Sequence, residues 1–166
     1  GKRGSLIRAR KLWLNDPEGN PLDLGFTGEV EKIRKRFLLQ LIRRGKIPVI
    51  TSIGVGMRGK PYNINADTAA TEIAAQVGAV KLVLMTDVRG VLGRDGKLLS
   101  EVNAHRAAAM IRHGSISGGM IPKIRNGLKA IKRGVEKVHI IDGRIPHALL
   151  LEIFTDQGIG TMVVKG

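Results

Sequence analysis

Short apolar runs recur along the chain with longer, sparsely apolar stretches between them, and this alternation restricts the fold more than any other feature. IPVITSI at 47–53, KLVLMTD at 81–87, KVHIID at 137–142 and TMVV at 161–164 are too brief for helices and apolar enough for strands buried on both faces. The intervening stretches 67–77, 103–112, 122–133 and 147–154 read as helices. Ala70, Ile73, Ala74 and Val77 are expected on the inner face of the first, and Ile124, Leu128 and Ile131 on that of the third. Strands alternating with helices of this length argue for parallel βαβ units. The expected fold is therefore α/β, a three-layer αβα sandwich with a mainly parallel sheet. In such sheets ligands bind beyond the carboxyl ends of the strands.

The first third adds a hairpin. Turn formers NDPEGNP at 15–21 separate two runs, 6–14 and 24–33, and an amphipathic helix follows with Ile33, Phe37, Leu38, Leu41 and Ile42 on one side and Gly45 as its stop. At 166 residues and 43% hydrophobic composition, one core is expected, with residues 1–166 as a single domain.

Formal charge is the second constraint. Against 28 Lys and Arg stand 14 Asp and Glu, a net charge of +14, and residues 1–60 hold half of the basic residues. Such a surface attracts polyanions, so non-specific polyanion binding is expected. The aromatics Trp13, Phe26, Phe37, Tyr62 and Phe154 are scattered singly, without the interleaved platforms of a single-strand-binding surface. There is no cysteine for a disulfide or thiolate site, and His105, His113, His139 and His147 follow no zinc spacing, so no metal held directly by the protein is expected. Without an apolar stretch of membrane-spanning length or a signal-peptide core, the expectation is a cytoplasmic protein with no membrane partner.

Residues 117–123, SGGMIPK, carry the chemistry. Two glycines opening a helix let backbone N–H groups and the positive helix terminus approach an anion, and Lys123 adds a mobile charge. The same residues also suit a plain turn.

Taken with YNINADTAA at 62–70, KLVLMTDVRGVL at 81–92, VHIIDGRIPHALLLEIFTDQGIGTM at 138–162 and LGFTGEV at 24–30, this segment resembles the amino acid kinase family, and within it the arginine-sensitive acetylglutamate kinases. The likeness implies transfer of the ATP γ-phosphoryl group to the γ-carboxylate of N-acetyl-L-glutamate in arginine biosynthesis, with Mg²⁺ arriving on the ATP. It makes Lys123 and Asp67 the catalytic pair, Lys123 on the bridging and β-phosphate oxygens and Asp67 organising the catalytic lysines. Asp67 suits an N-terminal helix cap equally well. Gly118, Gly119 and Met120 would offer N–H groups to the phosphates, and Thr86, Asp87 and Gly90 would form the adenosine site. Asn63 and Asn65 would contact the acylglutamate, Asn65 also suiting a loop turn. Glu152 and Gly158 would take the feedback inhibitor arginine; otherwise they are a solvent-facing helix residue and a turn.

The likeness covers the carboxyl-terminal, nucleotide-binding half of such kinases. It therefore implies binding of ATP or ADP, action on N-acetylglutamate only with the missing amino-terminal lobe, and self-association through surface that lobe would cover. Loops 56–60, GMRGK, and 87–90, DVRG, are basic where relatives are commonly acidic. A second reading follows from that drift, an engineered or reconstructed basic α/β module that folds, self-associates or binds polyanions without kinase activity.

Overall fold

A computed structural model describes residues 6–155 and 158–166. The chain divides into two compact units, Gly1–Val77 and Gly78–Gly166.

In the first unit, β1 (Ile7–Asn15) and β2 (Pro21–Ile33) form the expected antiparallel hairpin. Its turn is built by Asp16, whose Oδ1 accepts from Glu18 N at 3.0 Å and Asn20 N at 2.8 Å, while Gly19 takes φ 92°, a value open to glycine. Helix α1 (Lys35–Arg43), β3 (Ile53–Val55), β4 (Pro61–Asn63) and α2 (Ala66–Val77) follow. The four strands close on themselves in the order β1-β2-β4-β3. Alternation along β1 sends Ile7 and Ala9 inward, where they meet Ile33, Ile64 and Ala69, and leaves Arg8 and Arg10 outside, while Lys11 further along is half-buried. Those three cations pair across the hairpin with Glu31 at 2.9 Å, Glu29 at 2.8 Å and Asp23 at 2.6 Å. The pairs are exposed and set register more than they stabilise.

The second unit runs β5 (Lys81–Thr86), β6 (Glu101–Val102), α3 (Ala104–Arg112), α4 (Met120–Lys132), β7 (Lys137–Asp142), α5 (Ala148–Phe154) and β8 (Thr161–Val163). The sheet order is β5-β7-β8-β6; β5–β7 and β6–β8 are parallel and β7–β8 is antiparallel. Strand β7 is buried on both faces from Val138 to Asp142, with the polar side chains of His139 and Asp142 included. On one face Val138 lies under α4, close enough that a methyl at Gly127 would stand 3.4 Å from Val138 Cγ1 and 3.2 Å from Val163 Cγ2. On the other, His139 meets Glu152 of α5. Helices thus cover both faces of the sheet, giving the expected three layers.

Several local expectations differ. The run 47–53 is not a buried strand: only Ile53–Val55 pairs, and Ile47 and Val49 are 91% and 95% exposed. Among the described residues of this unit no strand lies beside 47–52, so its apolar side chains have no sheet to join, and only Ile50 packs on the core. Helix α1 begins after Ile33, which ends β2, and buries only Leu38; Phe37 and Ile42 are exposed. In α2 the deepest residues are Ala69, Thr71, Glu72 and Ala74, with Ala70, Ile73 and Val77 half-buried. Small side chains all round that helix leave no single apolar stripe to choose its inner face. In α4, Ile124, Gly127 and Ala130 are buried, while Leu128 and Ile131 are half-buried.

Candidate functional site

In the second unit β5 and β7 run parallel and end together, and the end is tied by Gly143 N donating to Thr86 O at 2.8 Å. Thr86 Oγ1 lies 3.3 Å from Asp87 Oδ1. Lys123, the fourth residue of α4, extends to the same end of β5, where its Nζ donates to Met85 O at 3.4 Å. The helix start keeps open ground beside it. Gly118 adopts φ 51°, and methyl groups at Gly118 or Gly119 would meet nothing within 4 Å. Gly119 is the N-cap and no side chain caps α4, whose first turn has no acidic residue. Exposed backbone, a positive helix end and a lysine are therefore gathered at the carboxyl edge of the sheet, an arrangement suited to an anion. Met120 differs from its expected part: its N–H donates back to Ser117 O at 3.2 Å.

Asp142 fixes the neighbouring strand end. Its buried carboxylate accepts from Arg144 Nε at 3.0 Å and Nη2 at 2.8 Å, and also from Arg144 N at 3.0 Å. The Arg144 hydrogen bonds, side chain first and backbone second, hold its pKa down at about 2, with Arg89 helping and desolvation opposing. A folded-state pKa below the unfolded value adds stability that is complete above the ordinary carboxylate range and lost on acidification. Acid titration followed by far-UV circular dichroism should therefore show Asp142→Asn removing part of the pH dependence of stability between about pH 4 and pH 2. An unaltered acid limb would show that the pair contributes nothing to folding.

Gly90 is fixed by packing. At φ 135°, a methyl there would strike Leu98 Cδ1 and Thr161 Oγ1, each at 2.8 Å, while the next residue, Val91, donates its N–H to Thr161 Oγ1 at 2.9 Å. The glycine seats the turn after β5 against β8.

In the first unit Ile64 points into the core, so Asn63 and Asn65 lie on its other side and both are exposed. Asn65 caps α2: its Oδ1 accepts from Thr68 N at 3.0 Å and Thr68 Oγ1 at 3.2 Å. Asp67 is the second residue of that helix and half-buried, so the capping role considered for it falls to Asn65.

Glu152 does not face solvent. It is buried and hydrogen-bonded through Oε1 to His139 Nδ1, while its Oε2 accepts from Ile159 N at 2.7 Å. Gly158, at φ 61°, packs so closely that a methyl there would lie 2.9 Å from Glu152 Oε2. Residues 156–157 of this motif lie outside the described residues. His139 was not singled out by sequence; one polar residue inside an otherwise buried strand, and one acid inside the apolar ALLLEIF helix, are the signal that pairs them. Among the described residues no group of three or more His, Asp or Glu is placed to hold a metal, and no helix is long and apolar enough to cross a membrane.

Residues 4–142 match the model of the amino acid kinase family. Acetylglutamate kinase of Parvibaculum lavamentivorans is 50% identical over 99% of this chain and 56% of its own length. That of Heliobacterium modesticaldum is 53% identical over 99% of this chain and 58% of its own length. The chain thus spans a little over half the length of these relatives. A crystal structure of N-acetylglutamate synthase from Neisseria gonorrhoeae, complexed with coenzyme A and L-arginine, superposes with a TM-score of 0.89 at 28% identity, over 98% of this chain and 37% of the other. Carbamate kinase from Giardia lamblia bound to AMP-PNP shares the fold at TM-score 0.63 and 17% identity, over 95% of this chain and 52% of its own. With its strand-end lysine and glycine turn set in this framework, the chain belongs to the amino acid kinase family.

Proposed function

We propose that the chain is the nucleotide-binding portion of an N-acetyl-L-glutamate kinase, binding ATP or ADP at the carboxyl edge of the β5–β7 sheet. The reading is carried by Lys123, whose ammonium stands at the end of β5 beside the open Gly118–Gly119 turn. In the reaction a γ-carboxylate oxygen of acetylglutamate attacks the γ-phosphorus of ATP, the bond from that phosphorus to the β,γ-bridging oxygen breaks, and an acyl phosphate and ADP result. Phosphoryl transfer needs positioning and charge neutralisation. Lys123 supplies the charge on the leaving side, Gly118 and Gly119 the close backbone approach, and Thr86 and Asp87 polar groups for the adenosine. Asp67 is assigned to organising the catalytic lysines. Asn63 is assigned to the acylglutamate, along with the amide nitrogen of Asn65, whose oxygen is committed to the cap. Asp142 is occupied by Arg144 and no carboxylate cage is present among the described residues, so Mg²⁺ fits this chain as an ion carried on the nucleotide phosphates.

For Glu152 the geometry favours joining α5 and the Ile159 backbone to β7 over receiving arginine, because both carboxylate oxygens are already engaged. Exposed apolar side chains such as Ile47 and Val49 favour association, with a second copy or with the remainder of the kinase. The chain spans only part of the acetylglutamate kinases it resembles, and we assign it nucleotide binding alone, in the cytoplasm, with turnover requiring the other lobe.

Calorimetric titration with MgADP at moderate salt tests the site. Lys123→Ala should weaken binding by about 1–3 kcal/mol, the loss expected for a charge-assisted contact, with folding stability little changed. Lys123→Arg should recover only part, since a planar fork replaces a compact ammonium poorly. Equal affinity in all three proteins removes the assignment. Binding that salt abolishes and any polyphosphate shares favours the basic-module reading.

A further inference from the structure

The basic residues of the first unit are not spread evenly. Lys32, Arg34, Lys35 and Arg36, with Phe37, Gln40 and Gln76, line a cavity of about 740 Å³ at the junction of β2 and α1. A second cavity of about 400 Å³ shares Lys32 and Arg34 and is completed by Arg8, Val55, Gly56 and Met57. Five cations therefore line two adjoining hollows, and no acidic residue lines either. Of the carboxylates on the hairpin strands, Glu29 pairs with Arg10, Asp23 with Lys11 and Glu31 with Arg8. Among the described residues Lys32, Lys35 and Arg36 have no carboxylate within ion-pair distance.

Like charges held this close repel one another, and two of them, Lys35 and Arg36, open α1, where the helix dipole disfavours cations. No acidic residue lies in that first turn and no side chain caps it. An anion in the hollow would relieve both penalties. Its size and charge follow from the lining: a single phosphate cannot reach cations distributed over two cavities, whereas a chain of phosphates can. Phe37 is the only aromatic lining the hollows and the Arg34 guanidinium already lies 5.7 Å from its ring centroid, so there is no stacking series for bases.

We propose that the paired cavities around Lys32 and Arg34 form a binding site for a small oligophosphate anion, separate from the strand-end site of the second unit. The recognised group is a run of linked phosphates, whether free condensed phosphate or the tail of a nucleotide. Binding is charge-assisted contact from Lys32, Lys35 and Arg36, and it is weakened by salt.

The test is titration of tripolyphosphate, ATP and AMP into the full chain carrying Lys123→Ala, so that the strand-end site contributes least. Tripolyphosphate should bind saturably at 1:1, ATP comparably and AMP at least about tenfold more weakly. The triple variant Lys32→Gln, Lys35→Gln, Arg36→Gln should lose at least about tenfold in affinity for tripolyphosphate, while Lys97→Gln with Lys137→Gln, exposed cations elsewhere, should lose less than about twofold. Hydrogen exchange gives a second readout, with tripolyphosphate slowing amides 34–40 in the Lys123→Ala protein. Equal losses in the triple variant and the control pair would reduce the effect to net charge and overturn the site. So would exchange protection lying elsewhere, or a single-stranded oligonucleotide binding more tightly than tripolyphosphate. ATP binding without tripolyphosphate binding would equally reject it, since the recognised group would then be the nucleoside.

Discussion

Glu152→Ala is expected to destabilise the second unit by about 3 kcal/mol, although this glutamate lies in the segment whose family likeness points to ligand binding. Both of its oxygens are used inside the fold, one by buried His139 Nδ1 and one by half-buried Ile159 N, and truncation leaves both groups without this partner. His139 Nε2 already lacks a hydrogen-bond partner among the described residues, so the ring would keep no polar contact there. Urea unfolding followed by far-UV circular dichroism measures the loss. A companion variant separates pairing from packing. Glu152→Leu combined with His139→Leu removes both polar partners and should recover a large part of the stability, because an apolar pair leaves only Ile159 N to satisfy. A single-variant cost below about 0.5 kcal/mol would show that the buried contact does not hold α5 to the sheet.

Gly54→Val should cost about 3 kcal/mol in the first unit, and Gly54→Ala somewhat less. The backbone angle of Gly54 is not the reason; space is. A Cβ at this position would lie 2.5 Å from Ala9 Cβ, 2.8 Å from Ile64 Cδ1 and 3.3 Å from Ile7 Cγ2, inside the core around which the four strands close. Ala9 belongs to the backbone of β1 and cannot swing aside as a long side chain would, so β3 and β1 must separate to admit even a methyl group. Trp13, the sole tryptophan, sits on β1 with Lys11 Nζ 4.4 Å from its ring centroid and reports this unit directly by fluorescence. A wild-type denaturation midpoint for Gly54→Val would mean that the strands do not close as described.

The layered α/β plan was legible because its signals are local and strong. KLVLMT and KVHIID are short strands rich in Leu, Val and Ile, the Asp16 turn fixes the hairpin, and Lys123 with its glycine turn stands out within seven residues. What escaped depends on neighbours distant in sequence. IPVITSI reads as a buried strand, yet burial requires a sheet on either side, and Ile47 and Val49 have none among the described residues of their unit. The two-residue β6 is defined by pairing with Met162 and Val163, 61 positions further along, and carries no pattern of its own. At the candidate site, residue types and spacing singled out Lys123 and its glycine turn, and only the family resemblance pointed to Asn63. They could not show that the Met120 N–H turns inward or that Glu152 faces His139, since both depend on backbone direction and packing.

The order β5-β7-β8-β6 carries a consequence for how the second unit assembles in time. Its strand latest in sequence, β8, occupies an interior position, bonded to β7 on one side and β6 on the other. Strand β6, formed some 60 residues earlier, therefore has no partner until Thr161–Val163 arrives. During synthesis β5, α4 and β7 can associate as soon as they exist, but β6 must wait, and with it the burial of Val102 and Val163, both wholly inaccessible in the finished fold. Closure by a late central strand is a long-range step of high contact order, slow relative to the local helices that precede it. A ribosome-bound intermediate lacking β8 would display the open edge of β7 to its surroundings, the kind of strand edge that invites pairing with another chain.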